Sequence, residues 1–361
     1  MLAVKIVRTV LSFAIPMLLV GCGSYSSPVA TPPPAPSPKF AFVANSGSNS
    51  ISAYAMDGTT GQLTLKNTVP SGGTDPRVIA LSPSGHSLYA GNVTSNNISA
   101  YSIDANTGAL TMIGSPVSSG NSPRFIVVGP TENVLYAVNQ EGSVSGFSID
   151  SSTGALTPLS GTVATDDAPV ALTFHPSGRF AYVANFNSGD ITVYGVDSTG
   201  ALGLLGAVPV DLSLTSIVMH PSGRFAYAAS LASNQITTFF VSQTSGGLTP
   251  IAPSVDTGEG PTSITIDSQG RFAYVTNAIA GNISVFSIDQ GNGVLTPASS
   301  VPAGTNPVAL SMDASGRFAY VANLGSDNVS SFSVNTTSGA LTPTGQPVST
   351  GMGPSWVALT K

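Results

Sequence analysis

The chain has 361 residues, of which only 8% are charged, with a formal net charge of −6 and a mean hydropathy of +0.28. Seventeen acidic residues against eleven basic ones leave no basic face for nucleic acid, and a single cysteine excludes a disulfide within the monomer. With so few charges, the surface of the folded body must be covered mainly by Asn, Ser, Thr, Gln and Gly.

Lys5 and Arg8 lead an apolar stretch from Val10 to Val20, too short to span a bilayer and of the size of a signal-peptide core. It ends in Leu19-Val20-Gly21-Cys22, which resembles a bacterial lipobox. Residues 1–21 are therefore expected to be a lipoprotein signal peptide and Cys22 the lipidated residue, making the membrane a partner through acyl chains rather than charge. Gly23, not Asp, follows the cysteine; by that resemblance the expected location is the outer membrane, on its periplasmic side or at the cell surface. Residues 22–38 comprise this cysteine and a Pro-rich linker, GSYSSPVATPPPAPSP, with no packing pattern and a reach of up to about 50 Å at polyproline rise. Without Lys5 and Arg8 the exported chain carries nine basic and seventeen acidic residues, a net charge of −8.

From residue 39 the sequence repeats. SGRFAYVAN occupies Ser177 to Asn185 and again Ser315 to Asn323, with close copies at Ser222 to Ser230 and Gln269 to Asn277. The residue closing this stretch recurs at Asn45, Asn92, Asn139, Asn185, Ser230, Asn277 and Asn323, in steps of 45 to 47 residues. A Leu following a Gly-containing turn recurs at Leu63, Leu110, Leu156, Leu202, Leu248, Leu295 and Leu341, so both rulers count seven. A fixed period means one supersecondary unit used many times.

Each unit reads as four short strands separated by turn chemistry; in the fourth these are residues 170–174, 180–184, 191–196 and 201–208. Within RFAYVAN, Phe180 and Tyr182 point to one face and Ala181 and Val183 to the other, so the strand is apolar on both faces and must be covered on both. Radial stacking of sheets provides that cover. The predicted fold is all-β, a seven-bladed β-propeller of four-stranded blades occupying residues 39–361 as a single domain. The first unit starts at its second strand, FAFVAN from Phe40, and the missing inner strand matches PSWVAL at Pro354 to Leu359. The C-terminal strand is expected to complete blade 1 and close the ring.

Most polar residues fall into repeated slots with a scaffold reading. His175 and His220 stand where other repeats place Asp267, Asp313, Ser82 and Gly129, a turn-capping slot, and His86 stands in the slot of Arg179, Arg224, Arg271 and Arg317. Those arginines suit inter-blade or turn bonding. Asp57, Asp104, Asp150, Asp197 and Asp289 precede a tight turn and suit Asx turns, and the repeated Asn suits capping of its own loop.

What remains lies in loops leading into the innermost strands, where propeller sites form: Asp75, Arg77, Arg124, Asp166, Asp167, Asp211 and Glu259, with Glu141, Asp190 and Asp327 in neighbouring loops. Arg77 and Arg124 share one slot in adjacent blades, which could bring two guanidiniums to one carboxylate or phosphate. No metal-ligand spacing, phosphate loop or Ser, His and Asp set is present, so neither metal nor cofactor is expected.

The repeat, with PSGRFAYVAN and then a strand ending in ID and TGALTP, resembles the seven-bladed lactonase family that includes a bacterial 6-phosphogluconolactonase, and the related YncE-like surface propellers. The resemblance covers residues 39–361. Repeats of that family often read Pro-Arg-His at the start of the inner strand. Pro76-Arg77 and Pro123-Arg124 keep the Arg, but the next slot holds Val78, Phe125, Ala171, Ser216, Ser263, Ala309 and Trp356. Lactone opening needs a base for water and a cation for the oxyanion; the arginines could supply the second and only Asp75, Asp166, Asp167, Glu259 or another carboxylate the first. Two readings follow. One is a lipid-anchored, monomeric, non-catalytic platform binding an envelope protein, glycan or small ligand; the alternative is a sugar-lactone hydrolase.

Overall fold

Residues 39–361 are described by the computed structural model, in which every regular element is a strand. Cys22, the signal peptide and the linker expected before residue 39 lie outside the described residues. Seven antiparallel sheets follow one another along the chain. Blade 4 shows the plan, running from the inside outward through Pro169–Phe174, Phe180–Asn185, Asp190–Val196 and Leu202–Pro209. Blade 1 consists of Lys39–Asn45, Ser50–Met56 and Leu63–Pro70, and its innermost strand is Pro354–Leu359, paired antiparallel with Lys39–Asn45. The ring is thus closed by hydrogen bonds between the two ends of the domain, as the sequence predicts.

The outer strands depart from the simple reading. In blades 2 and 7 the fourth strand breaks into two pieces, Leu110–Met112 with Val117–Ser118, and Leu341–Pro343 with Val348–Ser349. Pro116 and Pro347 fall in the gaps, where a residue without an N–H cannot carry the ladder. In blade 4, where no proline interrupts this point, the same place is only a register shift, between Val193 and Tyr194.

Among the described residues there is no single core. Seven apolar clusters each lie between two neighbouring blades, the last between blades 7 and 1. Phe180 and Tyr182 join Leu214 and Ile217 of blade 5, whereas Ala181 and Val183 face Val134 and Tyr136 of blade 3. The large face of one sheet therefore meets the small face of the next, and the two-sided apolar strand is what the ring requires.

The repeated motif is a clasp. Tyr182 donates its hydroxyl to the Gly246 carbonyl in the outer turn of blade 5 at 2.9 Å, and Tyr227, Tyr274 and Tyr320 do the same to Gly293, Gly339 and Gly61 at 2.9, 3.1 and 3.0 Å. Phe180 lies flat against Gly246, whose φ is +70° and whose Cβ position would fall 2.5 Å from the ring, so only Gly fits. Arg179 caps that Phe at 5.2 Å and reaches the Thr244 carbonyl, and Arg224 and Arg317 bond Gly291 and Gly58 likewise. Arg, Phe and Tyr recur in blades 4 to 7 because together they grip the turn of the next blade, while blades 2 and 3 keep the Tyr, which bonds the Gly154 and Gly200 carbonyls.

The capping slots behave as read. Asp57, Asp104, Asp150, Asp197 and Asp289 accept main-chain N–H groups of their own turns. The Ser152 hydroxyl and the Thr153 N–H hold the Asp150 carboxyl down to about 2. His175 Nδ1 accepts from Ser177 N, which leaves Nε2–H to donate to the Gly223 carbonyl of blade 5 at 3.1 Å; His220 repeats this toward Gly270 at 2.8 Å. Both imidazoles are buried and cross-link blades in addition to capping, while His86 is exposed. The closing Asn side chains are fully buried and donate within their own blade, Asn92 Nδ2 to Asn97 and Ser99 at 2.8 and 2.9 Å.

Candidate functional site

Each innermost strand is entered through one residue with left-handed backbone: Asp75, Ser122, Ala168, Ser213 and Asn306, with Gly260 and Gly353 in the remaining blades. The sharp reversal is tied to the preceding blade, as where Asn49 Oδ1 accepts from Asp75 N at 2.8 Å and Asn96 Oδ1 from Ser122 N at 2.7 Å. Two residues further on, the side chains converge on the ring axis. Arg77, Arg124, Val170, Thr215, Thr262, Val308 and Ser355 form one tier around a cavity of about 460 Å³. Phe125, Ala171, Ser216, Ser263 and Trp356 form the tier beneath, and Gln140, Phe186, Asn187 and Leu324 contribute from the loops that follow the second strands. That volume suits a small organic ligand.

The cavity is two-faced. On the side of blades 2 and 3 stand the two guanidiniums. Arg77 Nε bonds Asp75 Oδ1 at 2.7 Å, and Arg124 Nε bonds the neutral Gln140 Oε1 at 2.8 Å. Both are held through Nε and make no bond through Nη to a described residue, so each presents its fork. Partial burial, and secondly the charge of Arg77, lower the pKa of Arg124, with Asp75 partly offsetting them. The two arginines therefore feel one another, with one carboxylate, bonded to Arg77, for two cations and a local positive excess. Apolar side chains flank and follow them: Phe125 meets Trp356 edge to face at 5.5 Å, with Phe186, Val170, Val308 and Leu324 further round the ring, while blades 5 and 6 opposite contribute Thr215, Ser216, Thr262 and Ser263.

The hydroxyls of the upper tier are committed. Thr215 donates to the Pro261 carbonyl at 2.9 Å, Thr262 to Pro307 at 3.0 Å and Ser355 to Pro76 at 2.8 Å, each tying one inner strand to the next. They hold the ring together before they can offer a ligand anything but a lone pair.

Of the sequence-predicted residues, Arg77 and Arg124 line the cavity and Asp75 stands directly behind Arg77. Asp166, Asp167, Asp211 and Glu259 do not line it. Asp166 sits beside Asp190, and desolvation together with that neighbouring charge raises its pKa. Asp167 accepts from Asn187 Nδ2 at 3.2 Å, Asp211 is drawn below the usual carboxylate range mainly by the Ser233 hydroxyl, and Glu259 is exposed. Glu141 is bonded by Asn121, Asp190 by Asn185, and Asp327 Oδ1 by Gly353 N. Loop membership alone did not bring these acids to the axis. Sequence reasoning missed Gln140, Phe186, Asn187 and Leu324, which fall in the two positions after the closing Asn; these positions vary from blade to blade inside an otherwise regular repeat, and that variation is the readable signal. Among the described residues no three His, Cys, Asp or Glu side chains stand together as metal ligands.

Fold and cavity define a seven-bladed propeller with an axial, arginine-walled pocket. The family model described as lactonase, 7-bladed beta-propeller, matches residues 34–122, 112–213 and 216–359, and the chain belongs to that family. Solved structures with the same fold include a periplasmic gluconolactonase of Pseudomonas aeruginosa, 21% identical with a TM-score of 0.79 over 90% of this chain and 99% of that one. A candidate 6-phosphogluconolactonase of Bacteroides uniformis is 19% identical, TM-score 0.80, over 90% and 100% of the two chains. One of Bacteroides fragilis is 18% identical, TM-score 0.81, over 92% and 100%. No curated protein matches the chain.

Proposed function

We propose that the axial cavity binds a lactone, or the hydroxy acid it yields, and that the protein opens the lactone ring. The observation carrying this reading is the convergence of Arg77 and Arg124 on one wall of the cavity, with the Asp75 carboxylate bonded directly behind Arg77, in a chain of the lactonase family. The guanidinium forks would hold the carbonyl oxygen as it becomes an oxyanion. Asp75 accepts from Arg77 through Oδ1, leaving Oδ2 to take a proton from water as its oxygen attacks the carbonyl carbon. The acyl–oxygen bond of the ring then breaks, and the proton passes to the departing alkoxide.

A non-catalytic binding site is the second reading. It is favoured by one observation: no carboxylate or imidazole is among the residues lining the cavity. Titrimetric hydrolysis of a lactone panel by the full chain, beside Asp75→Asn and the Arg77→Ala, Arg124→Ala double variant, separates the two. Hydrolysis reduced at least about a hundredfold by either change supports the enzyme, since one positioned base or oxyanion donor contributes that much. Wild-type turnover no faster than buffer leaves the binding site. The same proposal includes export and acylation at Cys22, tested by incorporation of labelled palmitate and its loss in Cys22→Ser.

A further inference from the structure

Every blade ends in an outer strand with an unpaired edge, and such an edge invites another strand unless the sequence prevents it. Six of the seven outer strands carry a preventive residue. Blades 3, 5, 6 and 7 set Pro158, Pro250, Pro297 and Pro343 opposite the third-strand aromatics Phe147, Phe239, Phe286 and Phe332. The ladder tolerates a residue without an N–H there because the nitrogen faces outward, so each proline removes a donor from the open edge. The outer strand of blade 2 is broken at Pro116, and that of blade 1 carries Lys66 within Leu63–Pro70. Blade 4 has neither device. Its outer strand, Leu202–Pro209, reads LGLLGAVP, with no charge and no proline before its last residue. Leu204 fills the proline slot, opposite Tyr194, and restores the outward N–H. Leu204 and Leu205 are 62% and 56% exposed, and the exposed Gly203 and Gly206 leave the main chain uncovered, as where another backbone approaches closely. The bulge at this point recurs in blades 1, 3, 5 and 6, so it is not what sets blade 4 apart.

We propose that this edge is an interface for a second copy of the chain: two blade 4 edges pair antiparallel around Leu204, so that two four-stranded blades run on as one sheet. Charge selects the occupant. A symmetric contact sets a patch against itself, so any charge in it meets its like, a burden on a body whose net charge is already −8 without residues 1–21. Leu202–Pro209 is the one outer strand that is uncharged and also free of proline before its end. Leucines of the two copies then cover one another, with Leu159 of the adjacent blade 3 strand, 40% exposed, at the margin. One strand pair covers less than the roughly 800 Å² per partner of a standard interface, so the association is weak and reversible. The axial cavity takes no part in it.

The full chain, carrying Cys22→Ser so that neither acylation nor a disulfide can join two copies, is followed by sedimentation velocity. Monomer at about 1 µM and a growing share of dimer by about 100 µM is the expected result. Two variants borrow residues that sister blades already hold in the same slots: Leu204→Pro, as in blades 3, 5, 6 and 7, and Leu205→Lys, as Lys66 in blade 1. Each should raise the dimer dissociation constant at least about tenfold while the melting midpoint stays at the unsubstituted value. Leu65→Pro places the same change on the edge of blade 1 and should leave the association intact. Where Leu204→Pro lowers the melting midpoint, Leu205→Lys decides. A chain that remains monomeric at about 100 µM overturns the inference, and so does a dimer that Leu205→Lys leaves as strong as before.

Discussion

Adding one methyl group to Gly246 tests the clasp between blades directly. The position has φ of +70°, so Gly246→Ala incurs the left-handed backbone cost of about 1–2 kcal/mol, and its Cβ would fall 2.5 Å from the Phe180 ring. Phe180 is packed in the cluster shared by blades 4 and 5 and cannot swing away, so overpacking adds about 1–3 kcal/mol. Gly85 has nearly the same φ, +73°, with nothing within 4 Å of its Cβ position. Gly85→Ala therefore carries the backbone cost alone, offset in both variants by about 0.4–1 kcal/mol from a stiffer unfolded chain. Urea denaturation of the two variants should show Gly246→Ala less stable than Gly85→Ala by about 1–3 kcal/mol. Equal losses would mean that the Phe and Gly contact is not a clasp, and that the glycine is there only for its dihedral.

Three further outcomes follow from other parts of the ring. Removing residues 354–361 deprives Lys39–Asn45 of its inner partner and Val357 of its burial between blades 7 and 1; we expect oligomers by light scattering or loss of the cooperative melt, whereas an unchanged melting temperature and a monomer would contradict closure. Tyr182→Phe should cost about 1 kcal/mol in urea, since it deletes one hydroxyl donor in a slot where blade 1 already carries Phe42, and a neutral result would remove the hydroxyl from the clasp. Asp166 is raised by desolvation and then by Asp190, so its folded pKa exceeds the unfolded one: the native state binds this proton more tightly, and stability falls as pH rises through that interval. Asp166→Asn should flatten that decline and leave the protein more stable at neutral pH; a variant that follows the wild-type pH curve would place the effect elsewhere.

The fold was legible because its chemistry repeats. Two independent rulers, the closing Asn and the Leu after the turn, counted seven blades, and the alternation of large and small side chains in FAYVAN specified that both faces are covered. PSWVAL at the end, read against a first unit that lacks an inner strand, gave the closure. The site was legible only in part, because a propeller brings residues about 46 positions apart to one axis, and what lines it is what differs between copies. Arg77 and Arg124 stood out as shared departures. Asp166, Asp167, Asp211 and Glu259 were drawn in by charge, yet their loops place them beside Ser, Asn and Asp partners away from the axis. Leu324 and Phe186, apolar residues in loops, carried no charge to attract notice. The buried cross-linking by His175 and His220 could not be read from a turn slot, since the partner carbonyl lies one blade further on.

The clasps all point one way around the ring. Arg, Phe and Tyr of blades 4 to 7, and the Tyr alone of blades 2 and 3, reach forward to the turn of the next blade, and blade 7 completes the circuit on Gly58 and Gly61. Blade 1 alone carries Phe42 in place of the Tyr, so its grip on blade 2 rests on Phe40 against Gly108 without the tyrosine's bond. On the cavity side the same two blades remain joined, through Asn49 and Asp75 and through Ser355 and Pro76. The seam between these blades is therefore bonded on the cavity face and one bond short on the far face. A ring that opens at its least-bonded seam would open there, between blades 1 and 2, on the face away from the Asp75 loop and the wall that carries Arg77.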